Sequence, residues 1–106
     1  MFARIVTMRL KNRSADDFTQ TIEKKVLPIV RRQEGFVDEI LFLAPDGSEA
    51  VGISLWDRKE SADAYSRKGY SEVLGELSVL VEGTPKVQAY NVSNSTMHKI
   101  AARFAA

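Results

Sequence analysis

Val51–Tyr65, VGISLWDRKESADAY, decides the fold. Its first half alternates. Val51, Ile53 and Leu55 point one way, while Gly52, Ser54 and Trp56 point the other, as a β-strand requires. Small residues ending in the chain's single tryptophan leave free volume over that second face, which is what a pocket floor needs. A polar turn follows, and Asp57 or Ser61 is placed to cap a helix starting near Lys59. Trp56 is thus expected at a strand–helix seam. It serves there either as a core aromatic or as a pocket wall with its indole N–H offered to a ligand.

Upstream, Glu49–Trp56 pairs with Phe36–Ala44 through Pro45-Asp46-Gly47-Ser48, a turn in which proline presets one dihedral and glycine accepts a positive φ. In the earlier strand Val37, Leu41 and Leu43 share one face, with Phe36, Ile40 and Phe42 on the other. Asp38 and Glu39 are expected to keep its start near solvent. Phe2–Leu10 is a further strand, apolar on both sides, with Arg4 interrupting one face. Between them Phe18, Ile22, Val26, Ile29 and Val30 recur at helical spacing after the candidate N-cap Ser14. Pro28 falls inside that pattern and predicts a kink near Lys24–Lys25. Gly35 is the helix stop.

Downstream, Gly69 interrupts the second helix. Tyr70–Val81 resumes it, Gly83-Thr84-Pro85 ends it, and Lys86–Ser93 is the last strand. The order β-α-β-β-α-β predicts an α+β, ferredoxin-like domain over residues 1–93, with a four-stranded antiparallel sheet and both helices on one face. The strands are apolar on both faces, so a second copy is expected to cover the exposed side, giving a homodimer through the sheet faces and a dimeric α/β barrel. In the tail, residues 94–106, Met97, Ile100, Ala101 and Phe104 fall at helical spacing and suggest a short helix docked on the partner subunit.

Composition narrows the function. The 106 residues carry 15 basic and 14 acidic side chains, a formal charge of +1, so neither nucleic acid nor an anionic membrane is the expected partner. An RNA-recognition module shares the strand order, but AVGISLW lacks the exposed aromatics and basic Gly-aromatic motif it needs. There is no cysteine, which excludes disulfide and thiolate chemistry. No run is long enough to cross a bilayer, and MFARIVTMRLKNRS has too short an apolar core for a secretory signal. A cytoplasmic protein is the default. One histidine, His98, makes no metal site, and no His/Asp/Glu spacing completes one.

The strand order, the segment LPIVRRQEGF (Leu27–Phe36) and the segment LWDRKESADAY (Leu55–Tyr65) together resemble the antibiotic biosynthesis monooxygenase domain family over about the first ninety residues. The resemblance implies a dimeric α/β barrel with a pocket between sheet and helices. Some members oxygenate aromatic polyketides or quinols without metal or flavin, others bind and degrade haem, and many have no known activity. In the cofactor-free oxygenases an Asn lies four residues before the Trp and a Tyr six after it. Trp56 matches here, but Gly52 and Ala62 stand at the other two positions, and Tyr65 lies nearly one helical turn further on. The haem-degrading pattern falls on Thr7, Tyr65 and Gly75, none of which matches.

The expected function is cofactor-independent oxygenation of a small aromatic or quinol. The alternatives are a non-catalytic, dimeric small-molecule-binding or stress-associated protein, and, less favoured, haem binding. Candidate catalytic residues are Trp56, Tyr65 and His98. Gly52, Ser54, Tyr70 and Asn91 are candidate pocket residues. No cofactor is expected. No general base is legible in the sequence.

Overall fold

A computed structural model describes residues 1–12 and 14–98. Strand β1 (Phe2–Leu10) is followed by helix α1 (Ala15–Thr21), a π-helical segment (Ile22–Val26) and helix α2 (Leu27–Arg31). Strands β2 (Phe36–Leu43) and β3 (Glu49–Trp56), helices α3 (Lys59–Arg67) and α4 (Gly69–Leu77), and strand β4 (Val81–Asn91) complete the order. The sheet runs β2-β3-β1-β4 with every neighbouring pair antiparallel. This is the α+β, ferredoxin-like arrangement expected from the strand and helix patterns.

Alternation along the strands sets the two faces. On β1 Phe2, Met8 and Leu10 are buried, and on β3 Ala50 and Trp56 are buried, joining Phe18, Ile29, Val30 and Leu77 of the helices in one core. The opposite face carries Ile5, Ile53 and Ile40 side by side on one rung, with Val51 and Phe42 on another. Phe42 is 51% exposed.

Where Pro28 predicted a kink near Lys24–Lys25, the first helix is π-helical. Proline offers no N–H to the carbonyl four residues back and crowds it. The helix answers by widening over Ile22–Val26, where the Leu27 N–H reaches the Ile22 carbonyl five residues away. Gly35 then adopts φ +82°, and its carbonyl accepts the Asp57 N–H at 2.8 Å, which ties the helix exit to the end of β3.

Several expectations are corrected. Phe36 and Trp56 pair directly, yet Asp38, not Val37, pairs with Leu55. Val37 is the extra residue of a β-bulge, so Phe36 turns to the helix side with Leu41 and Leu43. Strand β4 begins at Val81, because Gly83 at φ +66° forms an irregularity within the strand, where the pairing shifts between Thr7 and Arg9, and does not end a helix there. Neither Asp57 nor Ser61 caps α3: Arg58 holds the N-cap position without a side-chain bond, and Ser14 likewise caps α1 through no side-chain bond. In the tail, Ser95 forms an isolated bridge and residues 96–98 form a turn, in place of the start of a helix. The rest of the expected tail helix, from residue 99 on, lies outside the described residues.

Candidate functional site

Antiparallel pairing builds the site. Ser54 on β3 is paired with Arg4 on one side and Glu39 on the other, so three polar residues share one rung on the helix side of the sheet. Gly52 is the next residue of β3 on that face, and a Cβ built there lies 3.6 Å from Glu39 Oε2 and 3.5 Å from Leu41 Cδ1. The glycine therefore leaves open the space beside the Glu39 carboxyl. Above it lies a cavity of about 50 Å³, walled by Tyr65, Tyr70 and apolar side chains of the π-helical segment and α4. At roughly 10–15 Å³ for each water, that is room for a few waters in a narrow slot.

Arg4 is 5% exposed. Its Nε donates to Ser66 Oγ at 2.8 Å, and Ser66 Oγ donates in turn to the Ala62 carbonyl at 3.0 Å. Its guanidinium carbon lies 4.1 Å from the Tyr70 ring centre and 5.1 Å from that of Tyr65. These contacts lock a buried cation against two aromatic rings, a desolvated arrangement in which cation–π attraction is strongest.

Glu39, half-buried, is pushed up to about 8 from 4.5, chiefly by burial; Arg4 works against the rise and Asp38 adds to it. A carboxyl in this range is protonated near neutrality and accepts or releases a proton within ordinary working pH. Glu39, Ile22 and Leu41 also line an open cleft outside the cavity, beside Glu23 and Leu43. The carboxyl thus stands between the interior slot and the surface. Burial likewise pushes the Tyr65 phenol up, with Arg4 opposing and Glu39 and Tyr70 adding, so Tyr65 remains a neutral hydroxyl.

The sequence-derived candidates divide. Gly52, Ser54, Tyr65 and Tyr70 converge on the cavity. Trp56 does not line it. It is fully buried, its Nε1 donates to Ser54 Oγ at 2.9 Å, and it stacks on Tyr65 at 5.0 Å while Phe36 meets it edge-on at 5.7 Å. Its indole supports Tyr65 from behind. Asn91 is exposed on edge strand β4 and lies outside the cavity lining. His98 approaches Asp38 with Nε2 3.5 Å from a carboxylate oxygen, and Asp38 pairs with Leu55 on the sheet face away from the helices. Thr7 pairs with Val51 on that same far face, so Thr7 and Tyr65 lie on opposite sides of the sheet and the haem-type set does not assemble. Among the described residues no cluster of His, Cys, Asp and Glu is arranged to hold a metal ion.

Strand reading took Arg4 as a break in an apolar face and expected Glu39 near solvent; instead Arg4 is buried, and Glu39 lines the cavity with its carboxyl partly buried. The available signal was a charged residue at an inward position of an otherwise apolar strand. For Glu39 that position was its unbroken alternation with Leu41 and Leu43.

No protein-family model matches the chain, and no curated protein matches it. Solved structures do match. A monooxygenase from the gene ActVA-Orf6 of Streptomyces coelicolor, in complex with nanaomycin D, aligns with TM-score 0.75 at 19% identity, covering 89% of this chain and 88% of that one. SnoaB, a cofactor-independent oxygenase from Streptomyces nogalater, aligns with TM-score 0.72 at 16% identity over 90% and 95%. A Nitrosomonas europaea protein of unknown function aligns with TM-score 0.71 at 13% identity over 99% and 94%. The chain has the fold of the antibiotic biosynthesis monooxygenases, as the resemblance of its sequence implied.

Proposed function

We propose that the protein is a cofactor-independent monooxygenase that converts a small phenol to a quinone, or a hydroquinone to a hydroxyquinone, with dioxygen in the cavity between sheet and helices, one oxygen atom entering the product and the other leaving in water. The observation that carries the reading is the Glu39 carboxyl beside the buried Arg4 cation in a narrow, largely apolar slot. Such chemistry needs a base, a stabiliser for the resulting anion and exclusion of bulk water. Ionised Glu39 takes the hydroxyl proton, and Arg4 with the Tyr65 and Tyr70 hydroxyls faces the phenolate. Dioxygen is the oxidant. For a phenol, the anion adds dioxygen at a ring carbon bearing hydrogen. The O–O bond then breaks, one oxygen stays as the new carbonyl, and the other leaves in water. Two named oxygenases with the same fold support the reading by analogy of fold.

Oxygen uptake with a panel of hydroquinones and anthrones tests it. Wild-type turnover reduced about a hundredfold or more in Glu39→Gln is expected, since a positioned base contributes roughly 10²–10⁴-fold. Uptake no faster than the protein-free background across the panel ends this reading in favour of a non-catalytic binding protein. That alternative draws its own support from Trp56, whose N–H is already taken by Ser54.

A second copy is the partner proposed for the far face of the sheet. Ile5, Ile40, Ile53, Val51 and Phe42 adjoin on that face, partly exposed, with Phe42 half exposed, and a second copy would bury them. Sedimentation at micromolar concentration should give a dimer, and Ile53→Lys should give monomer.

A further inference from the structure

We propose that His98 is a positioning residue for Glu39: brought across the far face of the sheet by segment 92–98, it pairs with Asp38 and so sets the charge that stands beside the Glu39 carboxyl. The proposal deepens the oxygenase reading, in which Glu39 is the base, yet its readout is a titration and requires no turnover.

After β4 the chain leaves the sheet beside β1, where the Val92 N–H donates to the Met1 carbonyl at 3.0 Å. By His98 it has reached the opposite edge, with Nε2 3.5 Å from Asp38 Oδ2 on β2. Three strand spacings separate β4 from β2, roughly 15 Å, within reach of the intervening residues at about 3.3 Å each. Segment 92–98 therefore crosses the rung formed by Tyr90, Ala3, Leu55 and Asp38. Val92, Ser95 and His98 are its half-buried residues, while Ser93, Asn94, Thr96 and Met97 are exposed. On that rung Ala3 and Leu55 are 7% and 8% exposed, whereas Ile5, Ile40 and Ile53 on the next are only half-buried. The backbone N–H of His98 donates to Ser95 Oγ at 3.3 Å and closes the last turn of the segment.

The Asp38 carboxylate divides its oxygens. Oδ1 accepts the Glu39 backbone N–H at 2.8 Å, and Oδ2 faces His98. His98 Nε2 is buried, and among the described residues it has no hydrogen-bond partner. A proton on Nε2 turns its approach to Asp38 into a charge-assisted pair, whereas a bare lone pair would be set against a carboxylate. The rest of segment 92–98 carries no charge, and Tyr90 stands at the far end of the rung. On the other face, Glu39 meets Arg4 of β1, Tyr65 of α3 and Tyr70 of α4 across the slot, and Glu23 of the π-helical segment across the outer cleft. From α1 and α2 come only the uncharged Thr19, Leu27 and Val30. Burial raises Glu39 most; Arg4 opposes the rise and Asp38 adds to it. Once Glu39 ionises, two adjacent carboxylates share this end of β2. A charged His98 offsets one of them and eases release of the Glu39 proton.

Carbon NMR of the full chain, isotope-labelled at its glutamate carboxyls, reads the Glu39 titration directly between about pH 5 and about pH 10. Asp38→Asn should lower the midpoint from about 8 by about half a pH unit, because a neighbouring negative charge is gone. His98→Gln, which takes up no charge, should raise it. His98→Lys, a fixed cation, should lower it, leaving wild type between the two and the two variants about half a pH unit apart. A role confined to packing would not sort the variants by charge. Equal midpoints in His98→Gln and His98→Lys, or a midpoint in Asp38→Asn at or above that of wild type, overturn the proposal. Should His98→Lys not fold, a rise in His98→Gln decides in favour, and a midpoint unchanged from wild type decides against. The rising limb of kcat/KM should move with the Glu39 midpoint. Midpoints in the expected order without oxygen uptake would sink the oxygenase reading and leave this one standing; oxygen uptake with one midpoint shared by all four proteins would do the reverse.

Discussion

Arg4 and Glu39 sit on one rung of the sheet, each paired with Ser54 between them. Two strand spacings separate their backbones, roughly 10 Å. The narrow cavity lies above Ser54 and Gly52, lined by both side chains. The rung is the physical basis of the site.

Glu39 ties stability to pH. The folded protein holds the Glu39 proton up to about pH 8, whereas the unfolded chain releases it near 4.5. Between those values the folded state binds the extra proton. Stability from this group is thus complete below about 4.5 and is lost as pH rises through about 8, by at most about 1.4 kcal/mol per pH unit. Urea melts across this range should show the decline in wild type and a flatter profile in Glu39→Gln. Above pH 8 the variant should be the more stable protein.

Activity has the opposite sign. A neutral phenol needs Glu39 ionised, so kcat/KM for such a substrate should rise as pH increases through about 8. A pH–rate profile that is flat from 6 to 9, in about half-unit steps, would remove Glu39 from the base role.

Trp56 acts from behind the cavity wall. Trp56→Phe removes the donor to Ser54 Oγ and much of the stack under Tyr65. The expected loss is about 2 kcal/mol of stability, from an unpaired buried hydroxyl and an unfilled volume. In thermal melts the midpoint should fall by several degrees, while ligand affinity changes less than in Tyr65→Leu.

Gly52 keeps the slot open. A methyl there makes ordinary contacts with Leu41 and Glu39, so Gly52→Ala should fold with stability within about 1 kcal/mol of wild type. It places a carbon beside Glu39 Oε2, in the cavity. Ligand binding should weaken about tenfold or more, read by calorimetry against an unchanged melting temperature.

Gly35 tests the helix exit. Its φ of +82° disfavours any other residue, and a Cβ there runs into the Ser61 side chain and Asp57 Oδ1. Gly35→Ala should cost more than about 2 kcal/mol. A melt indistinguishable from wild type would mean that the link between Gly35 and Asp57 is loose in solution.

Much of the fold was legible because it rests on local periodicity. Alternation in Val51–Trp56 and Phe2–Leu10, helical spacing from Phe18 to Val30, and the turn chemistry of Pro45–Ser48 determined the element order and the helix-facing sides of β1 and β3. Even the disturbance caused by Pro28 was written in the chain, since a missing N–H acts on its own helix. The turn residues and the small-residue run before Trp56 likewise marked the place where a cavity opens.

Tertiary structure alone decided what chemistry lines that cavity. The Val37 bulge turns Phe36 to the helix side, and a bulge depends on pairing with another strand; Glu39 keeps phase with Leu41 and Leu43, but its burial comes from the helices that close over that face. The Trp56 N–H was free to serve a ligand until folding brought it to Ser54. Arg4 looked like a break in an apolar face until Ser66, Tyr65 and Tyr70 closed around it. Side-chain periodicity is set by neighbours in the chain; the charge state and orientation of a buried group are set by whatever the sheet and helices bring against it.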